Sequence, residues 1–145
     1  MKRVHIPACQ EITAVSEPWK SLKEHIDFTR YIGLNQTNVY LYEGRVAGFI
    51  IFNPEPVFAR GGYLRAIGVA LDIRRQGIGK KLMAFAEEIT ARRSQNLYLC
   101  VSSFNRKAQS FYKKIGYKKV GEIPGLIMPG AKEFIYWKRL THSLK

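Results

Sequence analysis

The most informative run of this chain is Ala66-Ile67-Gly68-Val69-Ala70-Leu71-Asp72-Ile73-Arg74-Arg75-Gln76-Gly77-Ile78-Gly79-Lys80-Lys81-Leu82. It reads as a strand, a basic glycine-containing turn and a helix. Glycines let the backbone turn sharply and bring its N–H groups close to a ligand. Free N–H groups at a helix start, with the dipole behind them, form a phosphate site; the dipole alone is worth about 0.3–1 kcal/mol near a surface. Arg74, Arg75 and Lys80 add the prospect of charge-assisted contacts. Two known phosphate loops do not fit. A P-loop requires Gly-x-x-x-x-Gly-Lys-Ser/Thr, but Arg74 stands five residues before Gly79, and Lys81 follows Lys80. A dinucleotide loop requires a third glycine where Leu82 stands.

Outward from this run the periodicity stays legible. Ile78, Leu82, Phe85, Ala86 and Ile89 mark one apolar helix face. A short strand follows over 97–101. Asn105 then opens a second helix, with Ala108, Phe111, Tyr112 and Ile115 at helical spacing and Gly116 just past its end. The segments 117–123 and 133–140 read as strands joined by a loop rich in Pro and Gly. On the N-terminal side, 16–30 reads as a helix capped by Ser16 with Pro18 in its first turn. A hairpin turns at Glu43-Gly44 between strands over 38–42 and 46–52. Asn53-Pro54-Glu55-Pro56 is expected to break the second of these, and another apolar run covers 63–71. The order predicts a single domain: a mixed α/β sandwich with a hairpin-rich N-terminal half and a βαβ-like centre.

The 145 residues carry 24 Lys+Arg against 11 Asp+Glu, a net charge of +13. A chain of this length can bury about 68–70% of its unfolded surface without a disulfide or metal staple. Apolar stretches such as Phe49-Ile50-Ile51-Phe52 fall far short of the roughly 18 residues of a membrane span. The N-terminus has basic residues but no apolar core behind them, unlike a secretory signal. Cys9 and Cys100 form no CxxC pair, so a reducing cytoplasm is expected. His5, His25 and His142 offer no metal-ligand spacing, and no metal is expected. A strongly basic chain attracts polyanions: nucleic acid, an anionic membrane or phosphate-bearing ligands. No aromatic-and-basic motif of the RNA-recognition kind is present, so nucleic acid is not the expected partner, although the charge leaves it open.

Arg74-x-x-Gly77-x-Gly79 resembles the first signature of the GCN5-related N-acetyltransferase (GNAT) superfamily. Asn105-x-x-Ala108-x-x-Phe111-Tyr112-x-x-x-Gly116-Tyr117, about 30 residues on, is similar to its second. The resemblance implies a GNAT-type α/β (α+β) fold: a mixed, mostly antiparallel twisted sheet with flanking helices and a splayed central strand pair. It implies that acetyl-CoA is the co-substrate. The backbone of Ile67, Gly68 and Val69 would bind its pantetheine arm and polarise the thioester carbonyl. The N–H groups of Arg75, Gln76, Gly77, Ile78, Gly79 and Lys80 would hold its pyrophosphate. Asn105 matches a position that contacts the cofactor arm, and Tyr112 the general acid that protonates the departing thiolate. Both have structural alternatives, Asn105 as a helix N-cap and Tyr112 as a core side chain. The implied activity is direct acetyl transfer to a primary amine: a peptide N-terminus, a side chain or a small molecule. Relatives that pair through sheet edges make a homodimer an expectation of the same kind.

One position departs from the pattern. Superfamily members that acetylate a ribosomal protein's N-terminal alanine carry a glutamate base five residues before the second signature, where this chain has Cys100. A water chain, Glu122 or Glu133, or no base at all remain open. An amine with a pKa of about 10.4 is free roughly once in 2,500 molecules at pH 7, against about one in six for a pKa of about 7.7, so a weak base favours a low-pKa amine. The missing glutamate also motivates a second reading, a non-catalytic CoA-sensing or nucleic-acid-binding module on the same fold. Trp19, Phe28, Tyr31, Ile127 and Met128 are the candidates to line an acceptor pocket, with core packing as the alternative for each.

Overall fold

A computed structural model of the chain describes residues 1–141; His142 lies outside the described residues. Six strands form one sheet in the order β1-β2-β3-β4-β6-β5. They are β1 (Thr37–Tyr42), β2 (Arg45–Phe58), β3 (Gly61–Val69), β4 (Asn96–Ser102), β5 (Lys118–Pro124) and β6 (Lys132–Arg139). The helices are α1 (Ile6–Ala14), α2 (Trp19–Leu22), α3 (Phe28–Gly33), α4 (Ile78–Ala91) and α5 (Arg106–Lys114). Among the described residues no helix is long and apolar enough to cross a membrane. The sheet is mixed: β1–β2, β4–β6 and β5–β6 are antiparallel, and β3–β4 is parallel. The chain divides into two compact units, Met1–Phe52 with Arg65–Ala86, and Asn53–Leu64 with everything from Glu87 on.

In the first unit the core is Cys9, Ile12, Phe28, Phe49, Ile51 and Ala66. Phe28 meets Phe49 edge-on at 5.1 Å, and Trp19 lies 6.1 Å from the same ring. Of the candidates for an acceptor pocket, Phe28 is a buried core residue, while Trp19 and Tyr31 are half-buried and pack against the cluster. The expected helix over 16–30 is not one helix. Lys23 takes a left-handed φ of 53° that ends α2, and the Asp27 side chain accepts from Arg30 N at 3.1 Å to start α3. Ser16 caps nothing; its hydroxyl donates to Ile12 O. The long N-terminal helix lies earlier, in α1, where Pro7 sits in the first turn and Cys9, Ile12 and Thr13 are buried at helical spacing. The hairpin at Glu43-Gly44 forms as read, with φ of 47° and 78°.

The expected break at Asn53-Pro54-Glu55-Pro56 does not occur, and β2 runs through both prolines to Phe58. The register explains why. β1 pairs with β2 only as far as Ile51, so beyond that point β2 has no β1 neighbour to need an N–H. The strand expected over 63–71 stops at Val69, and Leu71–Ile73 forms a single 3-10 turn. On α4, Ile78, Leu82 and Ala86 are buried as read, joined by Met83 and Thr90, while Phe85 remains 40% exposed.

In the second unit β4 alternates. Leu97, Leu99 and Val101 are buried on one face, and Tyr98, Cys100 and Ser102 lie on the other. Tyr112 of α5 stacks near Tyr117 and Tyr136, with ring centroids 5.8 and 6.5 Å away.

Candidate functional site

The turn before α4 lies wholly in the first unit. Arg75 and Gly77 take left-handed φ values of 67° and 76°, and a side chain at Gly77 would meet nothing within 4 Å. Lys81 N donates to Gly77 O at 3.0 Å, closing the first helical turn. Among the described residues the N–H groups of Arg75, Gln76, Gly77, Ile78, Gly79 and Lys80 make no such backbone bond. They front a helix of 14 residues, and Arg75 and Lys80 are exposed and without an ion pair among the described residues. An open run of donors backed by two free cations has the chemistry of a pyrophosphate cradle.

Arg74, beside them, is held within the unit. Its Nε donates to Val69 O at 3.0 Å and a terminal nitrogen to Ser16 Oγ at 2.6 Å. The guanidinium therefore ties the turn to the end of β3 and to the segment after α1. Asp72, the one acid in the turn, is ion-paired with Arg45. Gly68 is fixed by packing, since a Cβ there would lie 2.6 Å from the Phe49 ring and 2.9 Å from Ile12. The parallel pairing of β3 with β4 covers Gly62, Tyr63 and Leu64, and Ala70 N, just past β3, donates to Ala47 O of β2 at 2.9 Å.

The second unit holds the remaining candidates. Asn105 is the N-cap of α5, its Oδ1 accepting from Ala108 N at 3.3 Å. Tyr112 is 6% exposed, and its hydroxyl has no hydrogen-bond partner among the described residues. Burial pushes its pKa above the ordinary tyrosine value, so it is protonated at neutral pH.

Cys100 is half-buried. Burial raises its thiol pKa, the Tyr63 hydroxyl opposes this by donating to the sulfur, and the nearby Glu133 carboxylate adds to the rise. At neutral pH it is a thiol and a poor nucleophile. The two candidate bases differ. Glu122 is bridged by Lys119 at 2.9 Å and Lys132 at 3.0 Å, and these partners lower its pKa. Glu133 is 8% exposed and faces Ser102 across the β4–β6 ladder, whose hydroxyl donates to its carboxylate at 3.0 Å. The sequence pointed to Glu133 but not to Ser102 or Tyr63. Only the register brings Tyr63 and Glu133 beside Cys100. Ile127 and Met128 are exposed in the loop between β5 and β6.

Comparison with known proteins fits this geometry. A sequence model of the acetyltransferase (GNAT) family matches residues 6–117. A curated relative, the 5-NmdU N-acetyltransferase of Pseudomonas phage PaMx11, is 29% identical over 117 residues, covering 79% of this chain and 81% of the relative. Among solved structures, Ard1 from Thermoplasma volcanium superposes with a TM-score of 0.81 at 21% identity over 98% of this chain and 95% of its own. Arabidopsis thaliana Naa50, in complex with the bisubstrate analogue CoA-Ac-MVNAL, gives 0.75 at 20% identity over 95% of this chain and 94% of its own.

Proposed function

Because this chain belongs to the acetyltransferase (GNAT) family, we propose that it moves an acetyl group from acetyl-CoA directly to a primary amine. The observation that carries the reading is the run of unpartnered N–H groups over residues 75–80, with open space at Gly77 and exposed cations at Arg75 and Lys80. Such a run suits a diphosphate, and the backbone of Ile67, Gly68 and Val69 at the end of β3, just ahead of that turn, suits an extended amide-bearing arm and a developing oxyanion. The phage relative is named for acetylating 5-NmdU and Naa50 was solved with a peptide-bearing CoA analogue, which supports an amine acceptor and leaves its class to be argued.

Within this reading Arg74 is a positioning residue that holds the cradle, and Asn105 caps α5 whether or not it also meets the cofactor arm. The acyl donor supplies an activated thioester. Tyr112 holds a proton for the departing sulfur. A tyrosine of pKa about 10 facing a thiolate of about 8.5 is mismatched by about 1.5 units, or roughly 2 kcal/mol, and burial widens the gap. Tyr112 therefore acts chiefly by hydrogen-bonding the developing thiolate rather than by early full transfer. Burial keeps Cys100 a thiol and a poor nucleophile, which favours direct transfer over a covalent acetyl-cysteine. Glu133 is the better of the two acids as a base, since Lys119 and Lys132 hold Glu122 as a weak one.

Titration calorimetry with acetyl-CoA, followed by thiol release across a panel of amines, tests the proposal. Micromolar binding and acceptor-dependent thiol release are expected. Failure to bind acetyl-CoA overturns it, and binding without turnover on any amine favours the CoA-sensing module.

A further inference from the structure

The site described above leaves most of the positive charge unexplained. Residues 103–121 hold six Lys or Arg and no acid. The structure sorts cations by partner. Arg92, Arg93, Lys119, Lys132 and Lys138 each meet a carboxylate. Arg106, Lys107, Lys113, Lys114 and Lys118 meet none among the described residues, and all five are exposed. Four belong to α5 and the fifth starts β5. Arg106 and Lys113, seven residues apart, are separated by about 10.5 Å along the helix, and Lys107 and Lys114 repeat that spacing beside them. Arg106 and Lys113 also line a groove of about 510 Å³ together with Ser103, Gln109, Ser110 and Phe134.

Surface cations are usually interspersed with acids, which damp the local field. Here one helix face and the strand after it are left unneutralised. A free alkylamine, itself cationic near pH 7, is repelled by such a face. A phosphate-bearing strand is drawn to it, and contacts in series release counterions.

We propose that α5 and the start of β5 bind the phosphates of a nucleic-acid strand, and that the acceptor amine is carried on that strand. This rests on the acetyl-transfer reading for its chemistry. The N–C bond to the strand's amine forms as the thioester C–S bond breaks, the amine loses a proton, and the sulfur leaves as CoA thiol. The sequence alone did not favour nucleic acid because no recognition motif is present. The unpaired cations become visible only when each carboxylate is assigned to its partner.

The test is fluorescence anisotropy of a labelled short oligonucleotide as single-stranded DNA, duplex DNA or RNA, the three arms distinguishing the source of the phosphates. Five contacts to a single strand weaken binding about 130-fold between about 50 and about 200 mM salt, at a slope of about 0.7 per contact. The double variant Arg106→Gln/Lys113→Gln should flatten that slope by about 1.4 and leave the acetyl-CoA Kd unchanged. In parallel, kcat/KM is compared for an aminoalkyl nucleobase within the oligonucleotide and for the same free aminoalkyl nucleoside. The strand-borne amine should be favoured about 10-fold or more at low salt, and the double variant should remove the advantage.

Salt-insensitive or absent oligonucleotide binding overturns the proposal, as does preferential binding to phosphatidylserine vesicles. A double variant that weakens acetyl-CoA instead assigns the surface to the acyl donor. Strand binding with equal kcat/KM for both amines, or with acetylation of neither, overturns the acceptor assignment. Failure of acetyl-CoA to bind sinks the acetyl-transfer reading, and the anisotropy still decides the surface.

Discussion

Tyr112→Phe separates catalysis from packing at a single atom. The ring is 6% exposed and touches Phe111, Tyr117 and Tyr136. Its hydroxyl has no partner among the described residues, so the substitution removes no protein hydrogen bond and keeps the ring contacts. Stability should change by less than about 0.5 kcal/mol. If the hydroxyl is the general acid, turnover should fall about 10²–10⁴-fold, equivalent to roughly 2.7–5.5 kcal/mol of barrier, while the acetyl-CoA Kd stays close to that of the parent. Tyr117→Phe is the internal control. That hydroxyl donates to Glu87 Oε1 at 3.0 Å, and the same carboxylate holds Lys138 at 3.0 Å. Losing a hydrogen bond to a charged group should cost about 1.5–3 kcal/mol of stability with little effect on kcat. Urea unfolding, titration calorimetry and stopped-flow thiol release measure the three quantities on one sample. Full turnover in Tyr112→Phe removes it as the acid. A loss of turnover accompanied by destabilisation above about 1.5 kcal/mol makes it a packing residue, and the reasoning from its unpartnered hydroxyl is then wrong.

Gly77→Ala should lower stability by about 1–2 kcal/mol in urea unfolding although open space surrounds the new methyl, because φ of 76° is left-handed; an unchanged midpoint would show the turn does not hold that shape. Asn105→Ala should cost about 1 kcal/mol as a lost cap, and an acetyl-CoA titration of the same variant reads any cofactor contact separately. Cys100→Ala should retain turnover, since burial keeps the thiol protonated; an inactive but folded variant would point to covalent catalysis through the sulfur. Burial pushes the Cys9 thiol up to about 12. Native-state alkylation of Cys9 at pH 8 should thus run about 10³-fold slower than for a free thiol of pKa about 8.5. The unfolded thiol ionises first, so stability is intact below about pH 8.5 and declines as pH rises towards 12, which urea unfolding across that range checks.

The local signals in the sequence were sound where one element carried them. The strand–turn–helix around Gly77, the Asn105 cap, the Glu43-Gly44 turn and the faces of α4 and α5 all depend on residues within a few positions of one another. So do the two motifs on which the resemblance rests. The misread elements depend on distant partners. Two prolines in β2 looked like a strand break because the sequence does not show that β1 has already ended beside them. Phe28 looked equally suited to a pocket or a core until Phe49, 21 residues on, met its ring edge-on at 5.1 Å.

By itself the sequence determined the family, the glycine-containing turn before α4, the two main helices and the sign of the charge, since each is written in short-range spacing or in composition. Only the tertiary structure decided which charges are paired and which acids are bridged by cations. Placing Glu133 against Ser102 and Lys132 against Glu122 requires strand register and side-chain pairing across 31 and 10 residues of chain, and among the described residues the same pairing leaves the α5 cations without a carboxylate. Register is a property of the assembled sheet, because the same strand sequence shifted by one residue presents its other face.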